Sequence, residues 1–227
     1  MKLKWPKYVV FGLIFIGVTL WMQLWLMVVN TIVGSGSYTS IENGLLEDTL
    51  IEKSGISISG IKMADTDRAF GAMIGLPSKP QMILSRGLLE RFSSTEIEYV
   101  VLHEAGHYYL SHTIKEAVVG LVFLAFGILL LKRIRENRGG IATTILMGAF
   151  FGIVMIQLGR KHEVEADRYA LEQISDPHGM YSASEKFRSE YVNSKNDNQL
   201  LRLLFYRGNS YDSRLRMAND EISKRSE

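Results

Sequence analysis

Two histidines four residues apart, His103 and His107, enclose a carboxylate in the segment His103-Glu104-Ala105-Gly106-His107. On a helix, residues i and i+4 project from one face, so both rings can share a metal ion. Glu104 lies one step round, close enough to reach a water at the metal without ligating it. Zinc chemistry needs that division of labour: three protein ligands hold the ion, and an open position acidifies water towards neutral pH. Glu104 would take the proton as water attacks a peptide carbonyl, and later deliver it to the leaving amine. The chain has no cysteine, which removes disulfides, thiolate metal sites and cysteine nucleophiles. A metal must therefore be held by carboxylates and by the five histidines present.

An H-E-x-x-H segment also arises by chance, with both histidines simply exposed, so its surroundings matter. The lead-in Tyr99-Val100-Val101-Leu102 is apolar and places the pair against a core. Gly106 sits between the histidines, where a mid-helix glycine costs about 1 kcal/mol; close approach by another segment would explain it. A third ligand is at hand in Arg160-Lys161-His162-Glu163-Val164-Glu165-Ala166-Asp167. Glu163 and Asp167 share a face if this stretch is helical, which suits a ligand carboxylate and a partner that orients a ligand histidine. Glu165 points away and reads as solvated. The alternatives are a charged, exposed helix start, and His162 as a rival ligand offset from the Asp167 face.

These residues need elements to hold them. Ser93-Ser94-Thr95-Glu96 has the form of a capping box. The helix it opens carries Ile97, Val100, Val101 and Ala105 near one face, a core-like pattern. Upstream, Ile56-Ser57-Ile58-Ser59 alternates like a strand, Met82-Ile83-Leu84 forms a second short apolar run, and helical signals begin at Gly87. The tail from Lys195 reads as polar and loosely packed apart from residues 200–206. No internal repeat or low-complexity tract occurs.

Apolar residues make up 47% of the 227, and they gather into three blocks. The net charge of +2, with no basic stripe interleaved with aromatics, excludes a nucleic-acid partner. Residues 8–30, preceded by Lys2, Lys4 and Lys7, are long enough to cross a bilayer as a helix, which takes about 20 apolar residues. A cleaved signal peptide is the alternative, but its apolar region usually runs only about 7–15 residues; Trp21 and Trp25 extend this one. Blocks 117–131 and 141–158, joined by a turn holding Lys132, Arg133, Arg135, Arg138 and Gly139-Gly140, read as a helical hairpin in the membrane, with a soluble helical pair as the alternative. Gly120, Gly127, Gly148 and Gly152 suit close helix contact in lipid. Cationic flanks favour the cytoplasmic side. The lysines before the first block and the hairpin turn would both lie there, although Arg160 and Lys161 argue mildly against it. The expected organisation is an N-terminal transmembrane anchor over 1–30, two halves of one domain over 31–116 and 159–227, and the membrane hairpin over 117–158. The metal site would lie near the membrane surface on the outer, extracytoplasmic face.

With these motifs in order, residues 64–171 resemble the HtpX-like membrane metalloproteases, a group that includes the CAAX prenyl endopeptidases and a mitochondrial inner-membrane quality-control protease. Members carry an H-E-x-G-H helix, a membrane hairpin and then E-x-x-A-D, matched here by His103–His107 and by Glu163-Val164-Glu165-Ala166-Asp167. His112 matches a frequent family position and is read as structural. The resemblance implies a mainly helical α+β fold of zincin type with a small sheet and a glutamate third ligand, the gluzincin arrangement. It implies Zn2+ held by His103, His107 and Glu163, with Glu104 catalytic and Asp167 supporting the ligands. It also implies that Arg68-Ala69-Phe70-Gly71-Ala72 is an edge strand where Ala69, Phe70, Gly71 and Ala72 bind substrate backbone by strand addition. Arg214-Leu215 resembles a pair whose arginine supports the oxyanion. Two departures stand out. The family's His-Pro before that arginine is replaced here by Gly208-Asn209, and its bacterial heat-shock members have two crossings before the zinc helix where this chain shows one. The expected activity is zinc-dependent endoproteolysis of membrane-associated or extracytoplasmic polypeptides. A regulatory or signalling membrane protein with a structural or weakly catalytic zinc site is the alternative. A site-2-type intramembrane protease fits less well, because Tyr108, Tyr109, Ser111, His112, Lys115 and Glu116 follow the motif.

Overall fold

The computed structural model describes residues 38–76, 79–133, 138–192 and 211–227. The expected anchor over 8–30 and the Gly208-Asn209 pair lie outside the described residues. In chain order the elements are β1 (Tyr38–Ile41), α1 (Gly44–Ser54), β2 (Ile61–Ala64), β3 (Gly71–Leu76), β4 (Lys79–Ser85), α2 (Arg86–Arg91), α3 (Ser94–Tyr109), α4 (His112–Arg133), α5 (Arg138–Gln173), α6 (His178–Val192) and α7 (Tyr211–Ser226). The mainly helical α+β class is as expected. The chain divides into two compact units, one of Gly36–Thr113 with Ile156–Glu227 and another that contains Ile114–Met155.

In the larger unit the four strands form one mixed sheet in the order β1-β2-β4-β3. β2 runs parallel to β4, and the outer strands β1 and β3 are antiparallel to their neighbours. Met82, Ile83 and Leu84, the apolar run read from the sequence, form the buried centre of β4. The strand expected at 56–59 is instead a connection: Ser59 gives its N–H to Pro80 O, and Gly60 turns at φ 146° before pairing begins at Ile61. Alternation at 56–59 reflects Ile56 dropping into the core and Ile58 packing against it, while Ser57 and Ser59 stay out.

Helix α3 is fixed at both ends and along one side. Ser93 accepts from the Glu96 N–H while Glu96 Oε2 accepts from the Ser93 N–H at 2.6 Å, the expected capping box. Its inner face buries Ile97, Val100, Val101, Leu102 and Ala105 against α1, β3 and α6. Full burial of a Val or Leu stabilises by about 1.5–3 kcal/mol, which outweighs the roughly 1 kcal/mol cost of Gly106 inside the helix. The glycine has the reason anticipated for it: a Cβ there would meet the Ala166 backbone at 3.2 Å and the Tyr169 ring at 3.0 Å. α5 therefore lies directly on the histidine helix. At its end α3 turns sharply, because Ser111 takes a left-handed conformation (φ 55°) and α4 restarts at His112. That conformation costs a non-glycine residue roughly 1–2 kcal/mol, so neighbouring contacts must hold it.

In the second unit α4 and α5 meet through Phe123, whose ring centroid lies 5.9 Å from that of Phe150 and 5.0 Å from that of Phe151. Of the four glycines expected to pack closely, only Gly127 borders a described side chain. A Cβ added there would lie 3.8 Å from Met147 Cε, whereas one at Gly120, Gly148 or Gly152 would meet nothing within 4 Å. Val118, Leu121, Val122, Phe126, Leu146, Phe150 and Ile153 are all exposed. Among the described residues no single helix is long and apolar enough to cross a membrane. One bent pair, Ser94–Tyr109 with His112–Gly127 at 42°, passes together by length and composition. Its first half is α3, whose inner face is already committed to the core.

Candidate metal centre

His103 and His107 project from α3 towards α5, which brings Glu163 between them. The three ligand atoms form a small triangle. His103 Nε2 and His107 Nε2 are 3.1 Å apart, and the Glu163 carboxylate oxygens lie 3.6 Å from the first and 3.5 Å from the second. Ligands about 2.0–2.2 Å from a tetrahedral zinc stand about 3.3 Å from one another. The donor set and its spacing fit that ion.

Around the triangle, charge is arranged in a second layer. Asp167 is fully buried one turn after Glu163. It meets His103 Nδ1 at 2.8 Å, the Tyr99 hydroxyl, which donates at 2.7 Å, and Arg214 Nε, which donates at 2.9 Å. The carboxylate oxygen thus stands in short ion-pair contact with the His103 ring nitrogen that faces away from the triangle. Arg214, from α7, also donates Nη2 to Glu163 Oε2 at 3.0 Å. The segment that reads from sequence as a loose polar tail thus ends in a helix that reaches the site. Its Ala218 is buried, and Arg225 donates to the Leu171 and Ile174 carbonyls.

The electrostatics follow from this crowding. Burial pushes His103 down, but the Asp167 and Glu163 carboxylates outweigh it and hold its pKa up at about 10. Burial raises Glu163 and Asp167, yet the two histidines hold Glu163, and Arg214 with His103 hold Asp167, far below the usual carboxylate range. Without metal, an imidazolium at His103 and the Arg214 guanidinium neutralise the two carboxylates, so metal entry must release the His103 proton.

Glu104 stands apart from the ligand set. Burial raises its carboxyl above the ordinary value, only partly offset by the two histidines and by the Met73 backbone N–H, which donates to it. Met73 belongs to β3, and Gly71 of the same strand lies so close to α3 that a Cβ would meet Val100 Cγ1 at 2.7 Å. The edge strand at the site therefore begins at Gly71 and runs to Leu76. Ala69, expected in it, is buried, and Phe70 pairs with Ser85 just before the strand starts.

Two residues, Tyr99 and Glu165, depart from the sequence expectation, and the rival ligand His162 stays offset as expected. Tyr99 belongs to the apolar lead-in, yet its hydroxyl is bound to Asp167; its i,i+4 relation to His103 was the available signal. Glu165, expected in solvent, bonds His112 Nε2 at 3.1 Å and pairs with Lys161. His162 does not join the triangle: it is buried, with its ring stacked on His112 at 4.1 Å. Burial and the neighbouring His107 and His162 push His112 down to about 4.

The sequence profile of peptidase family M48 matches residues 45–203. Among curated proteins, the Bacteroides fragilis "Protease HtpX homolog" is 25% identical over 167 residues, covering 64% of this chain and 52% of that one. The Stutzerimonas stutzeri "Protease HtpX" is 28% identical over 203 residues, covering 80% and 70%. The chain thus spans about half the length of the first relative. The crystal structure of S. mikatae Ste24p aligns with a TM-score of 0.67 at 17% identity over 93% of this chain and 58% of that one, a likeness of fold.

Proposed function

The chain belongs to peptidase family M48, and from that premise we propose that it is a membrane-embedded zinc endopeptidase. The convergence of His103 Nε2, His107 Nε2 and the Glu163 carboxylate at zinc-like spacing, with Glu104 outside the set, carries the reading. Zinc would supply a Lewis acid there, polarising a carbonyl and making water acidic near neutral pH. Glu104 accepts a proton from the attacking water and returns it to the leaving amine. Asp167 fixes His103 from behind. Arg214 spends two of its donors on Asp167 and Glu163 and so holds the carboxylates in place, and its other donors remain for the oxyanion support that the resemblance implied. The outer edge of β3, beside Glu104, offers substrate backbone a strand to extend. Ala72 lies within that strand and Gly71 opens it, whereas Ala69 and Phe70 support it from outside. Removal of zinc by a chelator should abolish cleavage of an unfolded polypeptide, and one equivalent should restore it. Undiminished proteolysis after verified zinc loss would sink the proposal.

The α4–α5 pair supports membrane residence. Exposed Val118, Leu121, Val122, Phe126, Leu146, Phe150 and Ile153 cover both helices, far more apolar surface than a water-facing helical pair carries. We place the anchor at 8–30 and the metal centre on the extracytoplasmic face. The absence of native cysteine makes a direct check possible. With single cysteines replacing Ser78, Asn137 or Ser194, an impermeant thiol reagent should label the first and third in intact cells, and Asn137→Cys only after lysis. The opposite pattern would reverse the orientation.

A further inference from the structure

His112 and Glu165 lie outside the metal triangle and outside the proton path, yet they form a closed arrangement with one ligand. Resting on the zinc reading above, we infer that His112 is a positioning residue that fixes the tautomer and ring orientation of His107, and that Glu165 in turn fixes His112. The placement of protons on the ring nitrogens leads there. His107 directs Nε2 at His103 Nε2 and Glu163, and a ligating nitrogen carries no proton. A neutral His107 therefore bears its proton on Nδ1. The atom facing that proton, at 2.9 Å, is His112 Nδ1, which must be bare to accept it. The remaining proton of His112 then sits on Nε2, 3.1 Å from Glu165 Oε2. Every donor meets an acceptor, in the order Glu165, His112, His107.

The backbone is bent to make this contact. His112 follows directly on the left-handed Ser111, and that turn brings its ring back beside His107, with centroids 4.9 Å apart. Unusual backbone held in place by its surroundings is characteristic of functional positions. His162 stacks on His112 with the two rings 8° from parallel, which sets the ring plane. The two ligand histidines are thus oriented through their Nδ1 atoms by different means, His103 by a carboxylate and His107 by a neutral imidazole.

His112, His162 and Glu165 also cluster closely enough to raise the question of a second metal ion. The geometry argues against it. Imidazole lone pairs lie in the ring plane, and two parallel stacked rings aim them along parallel planes that do not converge. His112 Nδ1 is already occupied by His107.

Zinc affinity of the full chain in detergent, measured by competition with a chromophoric chelator, tests this directly. His112→Phe keeps a ring against His162 and removes the acceptor; it should weaken zinc by about 10–100-fold. His112→Asn places an amide oxygen near the lost Nδ1 and should recover most of that affinity, a rescue that a merely space-filling role would not show. Glu165→Ala, at a partly exposed side chain, provides a variant that keeps the ring stack and should weaken zinc several-fold. Wild-type affinity in His112→Phe or in Glu165→Ala overturns the inference, as does failure of His112→Asn to bind better than His112→Phe. Two equivalents of zinc in the wild type, one of them lost in His112→Phe, overturns it in favour of a second metal site. Undiminished binding in His103→Ala would instead overturn the zinc reading itself.

Discussion

Replacing Glu104 by Gln is expected to lower kcat/KM by roughly 10²–10⁴-fold, the range that a positioned general base contributes, while zinc content and melting temperature stay at wild-type levels. Gln has the same shape and can keep the contact with the Met73 N–H, so β3 and α3 should remain together. What it loses is the capacity to take a proton. Because burial raises the Glu104 carboxyl, the ionised form is a better base than an exposed glutamate. The sign of the pH dependence follows: activity requires the ionised carboxylate, so it falls as pH drops, along an acid limb. In Glu104→Gln that limb should vanish from the residual rate. Steady-state kinetics with metal analysis on the same preparations decides the matter. Near-normal turnover in a zinc-replete Glu104→Gln protein would mean that the base lies elsewhere.

The triangle itself was legible because it depends on local rules. His103 and His107 need only the period of a helix, and the capping box at Ser93 announces that helix. Glu163 was reachable because E-x-x-A-D repeats the same i,i+4 logic. Gly106 was legible as a cost that required a neighbour, though not which neighbour; Ala166 and Tyr169 supply it. The misreadings share another origin. Glu165 lies off the Glu163–Asp167 face, so helix periodicity sends it to solvent unless another residue arrives to meet it. His112 arrives only because Ser111 adopts a left-handed turn that no glycine or asparagine announces. Arg214 is separated from Asp167 by 47 positions, and no local pattern links them. At 56–59 the alternation was genuine but belonged to a connection, since pairing with β1 starts only after the turn at Gly60. Propensity and period describe what a segment can be, whereas the layer behind a metal site depends on which segments meet.

That layer is where the largest loss of stability is expected. Asp167→Asn should destabilise the metal-free fold by about 3–5 kcal/mol, the usual consequence of leaving a buried charge without its partner. Arg214 would keep only Glu163 as a partner for its buried charge, and His103, whose raised pKa rests first on Asp167, would be pulled back down by burial. Zinc affinity should also fall by about 10–100-fold, because His103 loses the charge that orients it. The two effects can be separated. Combining Tyr99→Phe, Asp167→Leu and Arg214→Met removes the Asp167–Arg214 pair and the hydroxyl together and leaves His103 paired with Glu163, so stability should return towards wild type, as apolar replacement of buried ion pairs often allows. Zinc affinity should not return, since nothing then holds His103 from behind. The pH dependence gives an independent reading. The native-state pKa of Asp167 is depressed, so its contribution to stability is present above the unfolded value, about 3.9, and is lost as pH falls below it. The gap between wild type and Asp167→Asn, measured by denaturant unfolding, should be widest near neutral pH and close progressively below about pH 4. A gap that stays constant through that range would show that Asp167 acts by shape and not by charge, and the electrostatic account of the site would have to be abandoned.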